Sequence, residues 1–147
     1  MLRRQGWRLR QTLVWVKDCF VLGRSDYHYR HVPILYGHKP GDGRIGRGAS
    51  GWFGDNAQDS VLEVQRPRRS SEHPTMKPPE LVKCCLRNST RRGELVLDPF
   101  AGSGSTLVAC ERSGRRARLL ELDPHFCDVV VPRWEGLTGQ SAERVPA

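Results

Sequence analysis

The chain has 147 residues and a mass of 16.7 kDa, one domain's worth of protein. It carries 24 Lys+Arg against 16 Asp+Glu, for a formal charge of +8 and a pI of about 9.8, and 20 of the 24 cations are Arg. No apolar run approaches the ~20 residues of a membrane span, and the apolar stretch of the basic opening, Thr12–Val16, stops at Lys17-Asp18, too short for a secretory signal. At 37% hydrophobic residues, against the usual ~45–50%, the core is thin for the length. Arg forks onto phosphate in a bidentate way that Lys does not, so the charge points to a nucleic-acid partner. A solvated basic surface, or a mutational bias towards Arg, would give the same count. The five cysteines (Cys19, Cys84, Cys85, Cys110, Cys127) are an odd set with no C-x-x-C pair. They predict neither a disulfide framework nor a metal site, and they fit a reducing cytoplasm. Most of them read as small buried hydrophobes.

In chain order, a helix tail gives way to strands. Thr12–Lys17 is β-branched and aromatic, and Val32–Gly37 is a second strand, whose Pro33 marks its start or a sheet edge. Between them lies a polar-aromatic cluster, Tyr27–His31. Residues 41–54 (GDGRIGRGASGWFG) hold six glycines and form a loop. With Arg44, Arg47, Trp52 and Phe53 it could grip a nucleic-acid strand or be a plain surface loop. Val61–Val64 is a short strand, and Arg66–Ser71 a basic turn. Pro78-Pro79 can open a helix whose apolar face is Leu81, Val82, Cys85 and Leu86. Leu95–Leu97 reads as a short buried strand ending at Asp98. Ser105–Ser113 is a helix stopped by Gly114, and Arg118–Glu121 is the next strand. Asp123 can cap a final helix that Pro124 starts, with Phe126, Val129 and Val130 on one face and Pro132 kinking or ending it. This order makes the C-terminal half a βαβ unit of a parallel sheet, and divides the chain at 1–71 and 72–147.

The chemistry concentrates in Asp98-Pro99-Phe100-Ala101-Gly102-Ser103-Gly104-Ser105-Thr106, at the C-terminal end of one strand and the start of a helix. Ligands of α/β sheets bind at this edge. The glycines allow close backbone approach, and the helix start leaves free N–H groups. Glu121, 23 residues after Asp98, stands where an acid can take ribose hydroxyls. A phosphate-binding Walker loop would need Lys after Gly104, and a dinucleotide fingerprint would need a small residue at Leu107. S-adenosylmethionine, a nucleoside without phosphates, suits Asp98 and Glu121 better.

Asp98–Thr106 resembles motif I of the S-adenosylmethionine-dependent DNA amino-methyltransferases (DPF-x-GSG-[ST]-T), and His73–Pro78 (HPTMKP) resembles their motif X. Motif X directly before motif I is the permuted order of the β-class. Glu121–Pro124, Arg133–Glu135 and Thr138-Gly139 are similar to the ends of phage-type members, and Trp15–Lys17 with Asp26–Gly37 to the stretch after the catalytic strand. The HPTMKP residues alone would also suit a proline-capped helix entry. The resemblance implies an α/β fold, a Rossmann-like class I methyltransferase sheet, acting on double-stranded DNA in restriction-modification. It implies that Asp98, Phe100, Gly102 and Gly104, with Ser103 between the glycines, line the methionine side of the cofactor. Glu121 would hold the ribose, and Thr75, Lys77 and Pro78 would close over the methionine end. Arg44, Arg47, Arg66, Arg68 and Arg69 would face DNA.

The family's catalytic tetrapeptide, [DNS]-P-P-[YFW], is absent. Lys77–Glu80 is the only Pro-Pro site and lacks both flanking residue types. Val32 also stands where related sequences commonly carry Glu. No catalytic residue is therefore assigned. The expectation is a truncated enzyme whose central strands are incomplete, with an open edge at Leu95–Leu97, inactive unless a second chain supplies the strand. Its rivals are a non-catalytic DNA-binding or partner-complementing module, an RNA methyltransferase fragment and a nonfunctional remnant.

Overall fold

The computed structural model describes residues 6–24, 26–39, 51–65 and 76–146. It divides into two units, Met1–Arg66 with Arg87–Thr90, and Pro67–Leu86 with Arg91–Ala147.

The first unit holds three strands: β1 (Arg8–Val16), β2 (His31–His38) and β3 (Val61–Glu63), in the order β2-β1-β3. β1 runs antiparallel to β2, with Trp15 opposite Val32, and parallel to β3, with Val14 opposite Val61. Residues 8–11, expected as the end of a helix, are strand instead. They lie opposite Tyr36, Gly37 and His38, and that pairing overrides their weak local preference. Pro33 does sit on an edge strand, where its missing N–H costs the ladder nothing. Trp15 is buried at the centre of this sheet, and its indole N–H donates to the Val64 carbonyl at 2.8 Å. Beyond the β1 end, Lys17 N–H bonds the Arg30 carbonyl at 2.8 Å and closes the connection to β2. Of the glycine-rich loop, 51–54 alone are described. Trp52 packs edge-on to Tyr36, their centroids 6.4 Å apart.

The second unit contains α1 (Pro79–Ser89) up to Leu86, then β4 (Leu95–Asp98), α2 (Ser105–Ser113), β5 (Arg116–Leu119) and α3 (Pro124–Thr138). β4 and β5 are parallel, Leu95 beside Arg116 and Asp98 beside Leu119, so the expected βαβ unit is present. Val82, Val96 and Ala117 pack against Leu86, Ala109 and Cys110. Burial of an apolar side chain the size of Leu86 contributes about 1.5–3 kcal/mol.

The opposite face of this sheet departs from expectation. Leu95 and Leu97 are 53% and 65% exposed, so β4 is buried on one face only. β5 begins two residues earlier than expected, because the Arg116 N–H donates to the Glu94 carbonyl and sets the register there. Glu121 consequently lies past the strand, in the turn that follows. Asp123 caps α3 by accepting from the His125 N–H at 2.9 Å, but Pro132 does not end the helix, which continues to Thr138. Proline removes one intrahelical bond. The turn beyond it is held by Arg133 donating to the Ser103 carbonyl at 2.6 Å and Trp134 Nε1 donating to Glu111 at 3.0 Å. Cys110 alone is fully buried; Cys84 and Cys85 are half-buried, Cys19 and Cys127 exposed. The expectation of mostly buried thiols is corrected to that extent. Among the described residues, no helix is long and apolar enough to cross a membrane.

Candidate functional site

Parallel pairing brings the ends of β4 and β5 to one edge, and the chain leaves that edge through two turns. After β4 comes 99–104, and after β5 comes 120–123. Backbone bonds join them: Leu120 N–H donates to the Asp98 carbonyl at 2.9 Å, and Ala101 N–H to the Leu120 carbonyl at 3.0 Å.

Two carboxylates are fixed here. Asp98 ends β4; its Oδ1 accepts from Phe100 N–H at 3.0 Å and its Oδ2 from the Thr106 hydroxyl at 2.6 Å. Glu121 Oε2 accepts from Gly102 N–H at 2.6 Å, and Oε1 accepts from the Leu122 and Asp123 N–H groups at 2.9 and 3.0 Å. Three backbone donors hold one carboxylate in a single orientation against the glycine turn. Charge-assisted bonds of this kind are about twice as strong as neutral ones.

The glycines are required by geometry. Gly102 has φ 51° and Gly104 φ 78°, in the left-handed region that a Cβ disfavours. A Cβ on Gly104 would lie 3.0 Å from both Val130 methyl groups, whereas one on Gly102 would meet nothing within 4 Å. Gly104 thus lets α3 approach, while Gly102 leaves the space beside the Glu121 carboxylate open. Gly104 also caps α2, with no side chain occupying the helix start.

Ser103 and Ser105 are buried. The Ser105 hydroxyl donates to the Lys77 carbonyl at 2.6 Å, which ties the segment before α1 to the start of α2. Pro78 is buried and Lys77 exposed. Phe100 is 86% exposed at the mouth of the turn.

The structure therefore gathers Asp98, Phe100, Gly102, Ser103, Gly104 and Glu121 at one edge, with Lys77 tied to it through Ser105. Thr75, Arg44, Arg47, Arg66, Arg68 and Arg69 lie outside the described residues. Sequence reasoning gave no role to Thr106, Ser105 or Arg133. For Thr106 and Ser105 the signal was available, as hydroxyl residues directly after Gly104. For Arg133, nothing in the pattern pointed to the Ser103 carbonyl 30 residues away.

The fold and this edge define an α/β protein with a glycine turn facing an acid on the neighbouring strand's turn. Residues 1–132 match the family model described as "DNA methylase", for N6/N4 methyltransferases, and the chain belongs to that family. It is 30% identical over 152 residues to the type II methyltransferase M.Cfr9I of Citrobacter freundii, covering 92% of this chain and 47% of that protein. It is 36% identical over 125 residues to the type II methyltransferase M2.DpnII of Streptococcus pneumoniae, covering 85% and 42%. The chain thus spans about half the length of the curated relatives it matches. Two solved structures share its fold. The M1.HpyAVI–SAM complex has a TM-score of 0.70 at 23% identity, covering 90% of this chain and 65% of that one. The cytosine-N4-specific PvuII DNA methyltransferase also has a TM-score of 0.70, at 17% identity, covering 91% and 54%.

Proposed function

We propose that this chain is the cofactor-holding portion of a DNA amino-methyltransferase, which moves a methyl group from S-adenosylmethionine to an exocyclic amino group of adenine or cytosine. The observation that carries the reading is the pair of oriented carboxylates, Asp98 and Glu121, on either side of a glycine turn whose Gly102 faces open space. The residues present fit the cofactor. Glu121 is a carboxylate held in one orientation by three backbone donors, and a carboxylate at this place takes ribose hydroxyls. Asp98 suits an ammonium group. Phe100 offers an exposed apolar face, and a helix start without a side-chain cap leaves N–H groups for a carboxylate. Ser103 and Gly104 shape the turn, and Thr75, Lys77 and Pro78 close over the methionine end. Arg44, Arg47, Arg66, Arg68 and Arg69 face the DNA.

The cofactor, when bound, supplies the methyl group. The residues here contribute binding and orientation, which place a reacting atom in line with its target. Hydrogen bonds to the target amino group belong to the D-P-P-aromatic tetrapeptide, which these 147 residues lack. We assign that tetrapeptide to a strand pairing with the outer edge of β4, supplied by a second chain or by sequence beyond this stretch. Support comes from β4 pairing, among the described residues, with β5 alone; the exposure of Leu95 and Leu97 leaves the neighbouring face of the sheet open to a further layer. A parallel sheet is normally buried on both faces. The same observation favours complementation over an independent DNA-binding module.

Calorimetric titration of S-adenosylmethionine into the full chain tests the reading. Binding is expected, with Asp98→Ala and Glu121→Ala each weakening it more than tenfold, about 1.4 kcal/mol. No binding by the wild-type chain overturns the cofactor assignment. Transfer of labelled methyl to DNA by the purified chain alone overturns the assignment of the catalytic strand to another segment.

A further inference from the structure

The edge of the β4–β5 sheet opposite the glycine turn carries a concentration of positive charge that the proposed methyl transfer does not use. Two tight turns enter the strands there, 90–94 before β4 and 112–116 before β5. They hold five arginines, Arg91, Arg92, Arg112, Arg115 and Arg116, against one carboxylate, Glu94. Backbone bonds clamp the turns together, Gly93 N–H to the Gly114 carbonyl at 2.7 Å and Arg116 N–H to the Glu94 carbonyl at 2.9 Å.

Several of the guanidinium groups are held by the backbone. Arg116 Nε donates to the Gly93 carbonyl at 3.1 Å and Arg115 Nη1 to the Ser113 carbonyl at 2.6 Å. The Arg92 guanidinium lies against Gly114, so closely that a Cβ there would meet its Nε and Nη2 at 3.1 Å. Glu94 accepts from the Arg91 backbone N–H at 2.9 Å. Arg112 is paired with Glu80 at 3.6 Å. Arg92 and Arg116 are exposed. The Arg116 guanidinium, anchored through Nε on an exposed residue, loses less side-chain freedom when an anion docks.

We infer that turns 90–94 and 112–116 form a docking surface for a nucleic-acid backbone, separate from the cofactor edge. The charges are spread over two turns, which suits a row of phosphates better than one anion. Four residues of parallel strand at ~3.3 Å each put about 13 Å between this surface and the glycine turn. The surface is therefore distinct from the edge proposed to hold the cofactor. The choice of DNA as the polyanion rests on the function proposed above.

Fluorescence anisotropy of a labelled DNA duplex, titrated with the full chain at several salt concentrations, tests this. Each phosphate neutralised contributes about 0.9 to the slope of log affinity against log salt. Arg92→Gln/Arg116→Gln should lower the slope by about two, so that the affinity lost between 50 and 200 mM salt shrinks by about tenfold. Cofactor titration of the same variant should be unchanged. A slope equal to wild type, or no duplex binding by wild type at low salt, overturns the proposal. If that variant fails to give a folded melt, Arg91→Gln/Arg92→Gln takes its place under the same criterion. Intact cofactor binding with an unchanged slope removes the docking surface alone. Absent cofactor binding with a lowered slope removes the proposed function and leaves the surface.

Discussion

Replacing Gly104 by Ala isolates the packing of α3 on the glycine turn. Two costs add. The residue sits at φ 78°, where an L side chain costs about 1–2 kcal/mol. The new Cβ then lies 3.0 Å from both Val130 methyl groups. Val130 is β-branched on a helix and nearly confined to one rotamer, so it must be relieved by a shift of α3, at about 1–3 kcal/mol. The total, about 2–5 kcal/mol, is a large share of a typical stability of ~5–15 kcal/mol. Gly102→Ala is the internal control. Its φ is 51° and its Cβ would meet nothing, so the backbone cost of about 1–2 kcal/mol stands alone. Val130→Ala removes the overlapping methyl groups. The double variant Gly104→Ala/Val130→Ala should then be about 1–2 kcal/mol more stable than the two single effects predict. Urea denaturation followed by circular dichroism reads all four proteins. Equal losses for Gly104→Ala and Gly102→Ala, or additive effects with Val130→Ala, would refute the claim that Gly104 is there for close approach.

Three further outcomes follow from individual contacts. Thr106→Val keeps the shape but removes the hydroxyl that donates to Asp98 Oδ2 at 2.6 Å; a bond to a charged group is worth about 1.5–3 kcal/mol, so calorimetry should show cofactor affinity falling at least about tenfold, and an unchanged Kd would deny Thr106 a positioning role. Ser105→Ala removes the hydroxyl that donates to the Lys77 carbonyl; a loss of about 1–2 kcal/mol is expected, with faster proteolytic cutting near 76–78, and an unaltered digestion pattern would contradict the tether. Burial raises the Cys110 and Cys85 thiols above their ordinary range, for Cys85 with help from neighbouring Cys84. The fold then keeps these thiols neutral while the unfolded chain ionises near pH ~8.5; their contribution is full below that pH and is lost as pH rises through the folded values. Melting temperature should therefore fall between pH 8 and 10, less so in Cys110→Ala/Cys85→Ala, and brief alkylation at pH 7.5 should label exposed Cys19 and Cys127 before Cys110.

The second unit was legible wherever a local rule fixed a local outcome. Proline and glycine set the ends of α2 and the start of α3, and the glycine turn followed from residues within one short stretch. What stayed illegible depended on partners distant in sequence. The start of β1 at Arg8 is set by His38 of β2, thirty residues later. The start of β5 is set by the Glu94 carbonyl, and the persistence of α3 past Pro132 coincides with the Ser103 and Glu111 contacts. β4 is the instructive case, because there the sequence pattern and the structure disagree about the same residues. A run such as Leu95-Val96-Leu97 is what a strand covered on both faces looks like. The structure covers the Val96 side with Leu86, Ala109 and Cys110, while Leu95 and Leu97 remain more than half exposed beside Arg116 and Arg118. Two leucines more than half exposed on a parallel sheet gain only a fraction of what their full burial would contribute. The composition of β4 therefore suits a neighbourhood larger than the one the described residues build. That supports, apart from any likeness to other proteins, the proposal above of a further segment beside β4.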